Sequence, residues 1–383
     1  MRYTAAVLLA LAANAAEIKL PPPYQTPSTM NRPKVVPQPG GVQLKVPAGF
    51  DAKPFADGFQ KPRIMLLGPG GEILLTDTVK GGAVWAIRPE PKKKLIDNLD
   101  RPFGMAFWKD YLYVAESTSV KRYKYDSKAL SAGAGEEIYN MKDFGAGHIT
   151  RAILFDKAGK KLYVGVGSGS DSTPGDPPER AAINRMDPDG GNKEIFASGL
   201  RNPTQLRWSP GNATLWVTVQ ERDGLGDGLV PDFFTHVEQG KFYGWPYAYL
   251  GAHEDPRNKG LKPDLVKSTV EPDLLLGPHV AVLDFLFYTG KQFPKEYQNG
   301  AFLAFHGSSN RAERVGYSVG FIPFKNGKPS GEQQEFLTGW MMGSDKVEVW
   351  GRPVGLLQMK DGSLLVSEDG NNRVWQISYT GKK

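Results

Sequence analysis

One short pattern returns along the chain, and this repetition constrains the fold more than any other feature. Pro62-Arg63-Ile64-Met65-Leu66-Leu67 runs into a Gly/Pro turn and then Ile73–Asp77. Arg101-Pro102-Phe103-Gly104 opens a run to Phe107, with Tyr111–Glu116 after the turn. Arg201-Asn202-Pro203 leads through Trp208 and a Pro-Gly turn to Leu215–Val219. Arg352-Pro353-Val354-Gly355 leads through Lys360-Asp361-Gly362 to Leu364–Glu368. Two degenerate copies fit between, one opening at His148-Ile149-Thr150-Arg151 and one covering Val280–Phe305. Each copy reads as strand, tight polar turn, strand, the pattern of a β-hairpin. A third strand often follows, as in Ala83–Ile87 and Arg373–Ile377.

Six such units predict an all-β chain, a six-bladed β-propeller of four-stranded antiparallel blades. The composition agrees. The 45 glycines and 30 prolines are about a fifth of the 383 residues, against a typical ~12%, which suits many turns between short strands. Pro62 and Pro102 lie 40 residues apart, whereas Pro203 and Pro353 lie 150 apart. The fifth copy and long insertions must occupy that interval. Two packed β-domains are the other arrangement this pattern allows. The strand-poor stretches Ser168–Glu179 and Lys241–Pro278 are expected as loops, and loops of that length are commonly functional.

The organisation expected is a signal peptide over 1–16, a Pro-rich extension over 17–44, and a single propeller over 45–383. Arg2, the apolar run Ala5–Ala13 and the small residues Ala13 and Ala15 fit a cleaved secretory signal. The run is too short to span a bilayer, so no membrane insertion is expected, and the location predicted is periplasmic or secreted.

Composition also excludes chemistry. With no cysteine there is no thiolate nucleophile, Cys-ligated zinc or Fe–S cluster. The net charge is only +6, and no Lys/Arg run exceeds the three at Lys92–Lys94, so nucleic-acid binding is not expected. The five histidines show no metal-binding spacing.

In a propeller the start of each innermost strand faces one end of the central channel. The residues opening the copies are Arg63, Arg101, His148 with Arg151, Arg201-Asn202 and Arg352. The fifth copy has no arginine there, but Arg311 and Arg314 follow its second strand. Guanidiniums gathered at one rim repel unless an anion sits among them, and arginine captures carboxylates well. The ring predicts an anionic ligand. Taken singly, each arginine serves equally well as a brace within its own blade.

Four strings, in order, resemble the PQQ-dependent glucose/sorbosone dehydrogenase family: Gly147-His148-Ile149-Thr150-Arg151 ahead of Lys161–Gly167; Gly199-Leu200-Arg201-Asn202-Pro203; Gln220-Glu221-Arg222-Asp223-Gly224-Leu225-Gly226-Asp227; and Phe242-Tyr243-Gly244-Trp245-Pro246. The likeness runs from about Phe55 to Tyr379 and is strongest to the exported sorbosone-type branch. It implies a six-bladed propeller holding PQQ and Ca2+ at the channel mouth and oxidising a sugar or sugar aldehyde. It implies His148 as general base, and Arg201, Asn202 and Arg352 as PQQ contacts, with Arg101 and Arg311 in less secure equivalents. It places Ca2+ on the carbonyls of Asp223 and Gly224, although Glu221-Arg222-Asp223-Gly224 departs from the family's Glu-Gln-Gly-Pro form. The partners implied are a sugar substrate and an external electron acceptor, since no haem can be attached without cysteine.

Read on their own chemistry, these residues leave choices open. A neutral imidazole suits proton abstraction near pH 7, and a histidine hydrogen-bonded between blades is the alternative. Asp227 and Asp232 fit metal ligation or loop capping. Tyr243, Trp245, Tyr247 and Tyr249 fit sugar stacking or packing beneath a loop. His306 is a possible supporting partner. The competing functions are a calcium-dependent lactonase-type hydrolase and a non-catalytic propeller binding carbohydrate or protein.

Overall fold

The computed structural model describes residues 19–211 and 213–381; the expected signal peptide lies outside the described residues. The repeats become six blades around a central channel. Blade 1 is Pro62–Leu67, Ile73–Asp77, Lys80–Arg88 and Lys93–Asp100, four antiparallel strands in sequence order. Blades 2 and 3 follow the same plan from Met105–Trp108 and Arg151–Phe155. Blade 4 starts at Asn202–Trp208 and takes Leu274–Pro278 as its outer strand. Thus the stretch expected to be loop ends in a strand, and it also holds the short helix Pro263–Lys267. Blade 5 starts at Val282–Phe287.

Blade 6 closes the ring. Its inner strands are Pro353–Gln358, Leu364–Glu368 and Arg373–Tyr379, and its outer strand is the N-terminal Phe50–Ala56. Pairing the chain's two ends in one sheet leaves no free seam. Apolar side chains fill the spaces between blades. The largest cluster joins Phe302, Phe321 and Trp340 to Leu356 and Trp375. Glycine permits the tight approach of innermost strands: a Cβ on Gly355 would stand 2.2 Å from the Arg63 carbonyl oxygen, and one on Gly104 2.4 Å from that of Arg151.

Residues 19–44 do not trail away from the propeller. Tyr24 N–H donates to the Leu225 carbonyl, Asn31 N–H to that of Ser309, and Lys34–Val35 pairs in parallel with Glu348–Val349. Among the described residues no helix is long and apolar enough to cross a membrane.

Candidate active site at the channel mouth

An antiparallel hairpin brings the start of its first strand beside the end of its second. Pro62 therefore faces Asp77, Asn202 faces Gln220, Val282 faces Phe305 and Pro353 faces Glu368. Repeated around the channel, this gathers two kinds of residue at one end, those that open a blade and those that follow its second strand. They line a cavity of about 510 Å3, within the ~300–1,000 Å3 usual for small-ligand sites.

Of the residues singled out from sequence, His148, Arg201, Asn202, Asp223 and Arg352 line this cavity. Arg101, Arg311 and Gly224 do not. Arg101 is half-exposed and paired with Asp100 at 3.0 Å. The carbonyl of Asp223 accepts from Arg257 Nη1 at 2.9 Å.

His148 is held in one tautomer. Its Nδ1 lies 2.9 Å from the Ser168 carbonyl and 3.1 Å from Ser168 Oγ. Because Ser168 Oγ donates to the Ser170 carbonyl, it is an acceptor toward the ring. Nδ1 therefore carries the proton, and Nε2 is left with its lone pair and, among the described residues, no protein partner. Burial, with Arg201 next in effect, pulls the pKa of His148 down to about 3. The ring is a neutral acceptor at ordinary pH.

Three guanidiniums reach the cavity, but they are not alike. Arg63 Nη2 is 2.6 Å from Asp369 Oδ2, and Arg201 Nη2 is 2.8 Å from Asp171 Oδ1. Arg201 also donates to the carbonyls of Asp171 and Glu221. These two behave as the braces that sequence left as an alternative. The Arg352 side chain donates to the carbonyls of His306 and Gly307 and, among the described residues, hydrogen-bonds no carboxylate, although its backbone N–H reaches Glu368 Oε2 and the Asp369 charge acts on it. The anion argument thus rests mainly on Arg352. Two lining residues also hold a buried polar atom without a protein partner, Arg63 Nε and Glu221 Oε1, an arrangement that asks for a bound group.

Sequence reasoning missed one histidine of the cavity, His279, and named the other, His306, only as a possible supporting partner. His279 stands at the opening of the fifth copy, where an arginine was sought. Its Nδ1 is 3.0 Å from Asp223 Oδ1 and its Nε2 3.2 Å from the Gly226 carbonyl. Both partners accept, so the ring donates twice and is cationic. Burial opposes that charge, and the Asp223 and Gly226 bonds outweigh it. The signal was its position directly before Val280. His306 follows the second strand of its blade and bonds Asp369; the regular end of the second strand was its signal.

The remaining candidates make the following contacts, with Asp232 also lining the cavity. Asp227 accepts from the N–H groups of Thr29 and Ala312, and Asp232 from those of Glu221 and Val282. Both tie loops together. Tyr243, Trp245 and Tyr249 are buried, and Trp245 Nε1 donates to the Asp171 carbonyl. They pack the loop instead of offering a stacking face.

The model of the TrAA12-like family matches residues 44–229 and 235–380. The chain belongs to this family. Solved structures share its fold. It superposes with TM-score 0.76 on the calcium structure of the Trichoderma reesei family AA12 enzyme, at 20% identity over 89% of this chain and 98% of that one. It superposes with TM-score 0.73 on the holo pyranose dehydrogenase PQQ domain of Coprinopsis cinerea, at 21% identity over 89% and 98%. An uncharacterized protein of Borreliella burgdorferi is 28% identical over 88% of this chain and 91% of its own length. The aldose sugar dehydrogenase YliI of Escherichia coli is 29% identical, over 28% of each chain.

Proposed function

We propose that the protein is an exported quinoprotein dehydrogenase oxidising a sugar or sugar aldehyde, with PQQ in the channel-mouth cavity and His148 as general base. The observation that carries this reading is the fixed lone pair of His148 in one cavity with the guanidinium of Arg352, which hydrogen-bonds no carboxylate among the described residues. The family and the PQQ-binding folds it shares support it. The donor set fits a polyacid: Arg352 reaches the cavity with its Nη1 uncommitted among the described residues, and Arg63, Arg201 and Asn202 line the same cavity.

PQQ supplies a quinone carbon that accepts hydride. The chain supplies the rest. His148 Nε2 takes the hydroxyl proton as hydride leaves the carbon bearing that hydroxyl. Ser168 keeps the ring in the required tautomer. Arg352 neutralises negative charge in the cavity, Arg201 is braced by Asp171, and Thr150 and Gln220 hold the Asn202 amide in place. Asp223 and Gly224 are the calcium pair implied by resemblance. Only Asp223 lines the cavity, its carbonyl is occupied by Arg257, and no three His, Asp or Glu converge as a cage among the described residues. These contacts offer no side-chain cage and leave the carbonyls that the resemblance implies, each with a second lone pair, as the donors that would hold calcium.

The test is reconstitution with PQQ and Ca2+, a titrated absorption spectrum, and an assay of aldoses with an artificial electron acceptor. A bound-quinone spectrum with aldose-dependent acceptor reduction is expected. A protein that takes up no PQQ, or takes it up and oxidises no aldose, overturns the reading.

A further inference from the structure

The reaction above uses one histidine of the cavity, and His306 is the second with a fixed tautomer. Its Nε2 lies 2.7 Å from Asp369 Oδ1, while Asp369 Oδ2 takes Arg63 Nη2 at 2.6 Å. Burial works against the Asp369 charge, but His306, Arg63 and Arg352 hold that carboxyl far below the usual range. An ionised carboxylate only accepts, so Nε2 must carry the ring proton. Nδ1 is then a bare acceptor. Among the described residues it has no hydrogen-bond partner, and His306 lines the cavity. The main chain is fixed as well, since the carbonyls of His306 and Gly307 receive Arg352 Nε and Nη2. Burial and Arg352 pull the ring's pKa down to about 4, which keeps it neutral.

We propose that His306 is a specificity-determining residue whose Nδ1 accepts a hydrogen bond from a second hydroxyl of the substrate, while the reacting hydroxyl donates to His148. This rests on the dehydrogenase reading and narrows its substrate class. Two fixed lone pairs in one cavity select a polyhydroxylated sugar over a simple alcohol or aldehyde. A substrate lacking the second hydroxyl leaves Nδ1 unpaired inside a ligand-filled site, which is unfavourable. The neighbouring guanidiniums cannot replace it, because arginine has no acceptor.

The decisive variant is Asp369→Asn. Arg63 only donates, so the amide oxygen must stay on Arg63 and the amide NH2 must face His306 Nε2. The ring proton then moves to Nδ1, and an acceptor becomes a donor with almost no change in volume; a wrong tautomer of this kind is known to disable an Asp–His pair. Histidine 15N NMR on the protein without cofactor should report Nε2–H in the wild type and Nδ1–H in the variant. Ligand-observed NMR with D-glucose, D-galactose and D-xylose on the same samples should show binding of at least one sugar, weakened roughly 10-fold or more in the variant. If Asp369→Asn does not fold, His306→Asn and His306→Phe take its place. The asparagine oxygen stands near the position of Nδ1 and should retain most of the affinity, whereas phenylalanine should lose it.

A wild-type proton on Nδ1 overturns the proposal. So does unchanged sugar affinity after the proton has moved, equal binding by the Asn and Phe variants, or no binding of any of the three sugars. These readouts need no PQQ. Failure to bind PQQ therefore sinks the dehydrogenase reading by itself, and a misplaced proton sinks this one by itself.

Discussion

The ring nitrogen Nδ1 of His148 lies 2.9 Å from the carbonyl oxygen of Ser168, and this contact determines which face of the imidazole meets the cavity. The bond crosses from the blade-opening segment to the end of the second strand of the same blade. The hairpin register that gathers the site therefore also sets its chemistry. His148→Ala removes the lone pair but no cofactor contact. Turnover should fall by ~10²–10⁴-fold with PQQ titration unchanged. A variant with wild-type turnover would remove His148 from the mechanism.

Arg352 and the more distant arginines give a contrast in cofactor retention. Arg352 is the cavity guanidinium that hydrogen-bonds no carboxylate among the described residues, and Arg352→Ala should weaken PQQ affinity roughly 10- to 100-fold, the loss of a charge-assisted hydrogen bond. Arg101→Ala and Arg311→Ala alter residues off the cavity wall and should leave affinity within about twofold, as surface changes usually do. Spectroscopic titration of the three variants at one ionic strength checks this ordering.

The loops behind the cavity depend on one buried cation. Arg222 is fully enclosed, with Nε 3.0 Å from Glu221 Oε2 and Nη1 2.9 Å from Asp255 Oδ2, and it also donates to the carbonyls of Pro246 and Ala248. It ties the segment after the second strand of blade 4 to the insertion that follows. Arg222→Ala leaves the buried Glu221 carboxylate without its cation and Asp255 with Arg257 alone, and should cost ~3–5 kcal/mol. Denaturant unfolding measures it. A loss below about 1 kcal/mol would mean that the loops hold without this arginine.

The blade count was legible because hairpin spacing and Gly/Pro turns are local features. Arg63, Arg201 and Arg352 were legible as cavity residues because each opens a copy of the repeat. The partners of those arginines were not. Asp369 is 306 residues from Arg63, and Asp171 is 30 residues from Arg201, so neutralisation of two members of the ring appears only in three dimensions. The fourth strand of blade 6 was hidden for the same reason. Phe50–Ala56 pairs with Arg373–Tyr379 across the whole chain, a closure that no local pattern announces. His279 was hidden because the fifth copy carries no arginine at its opening, and His306 was legible only as a possible supporting partner.

Glu368 gives a pH test of the same strand ends. It follows the rule that places polar groups at the end of the second strand, and its Oε2 accepts from the N–H groups of Gly370 and Asn371. Its Oε1 is buried without a partner. Burial, partly offset by those backbone bonds, pushes its pKa up to about 7, above the ~4.3 of an unfolded chain. The folded state therefore binds the proton more tightly than the unfolded one, and between those values ∂ΔG/∂pH is negative. The stability this contributes is complete below the unfolded value and is lost as pH rises through about 7. Glu368→Gln keeps the shape of the protonated side chain and cannot ionise. The variant should unfold at a higher temperature than the wild type at pH 8, and the gain should shrink at pH 5. Equal shifts at the two pH values would mean that this carboxyl does not titrate within the fold.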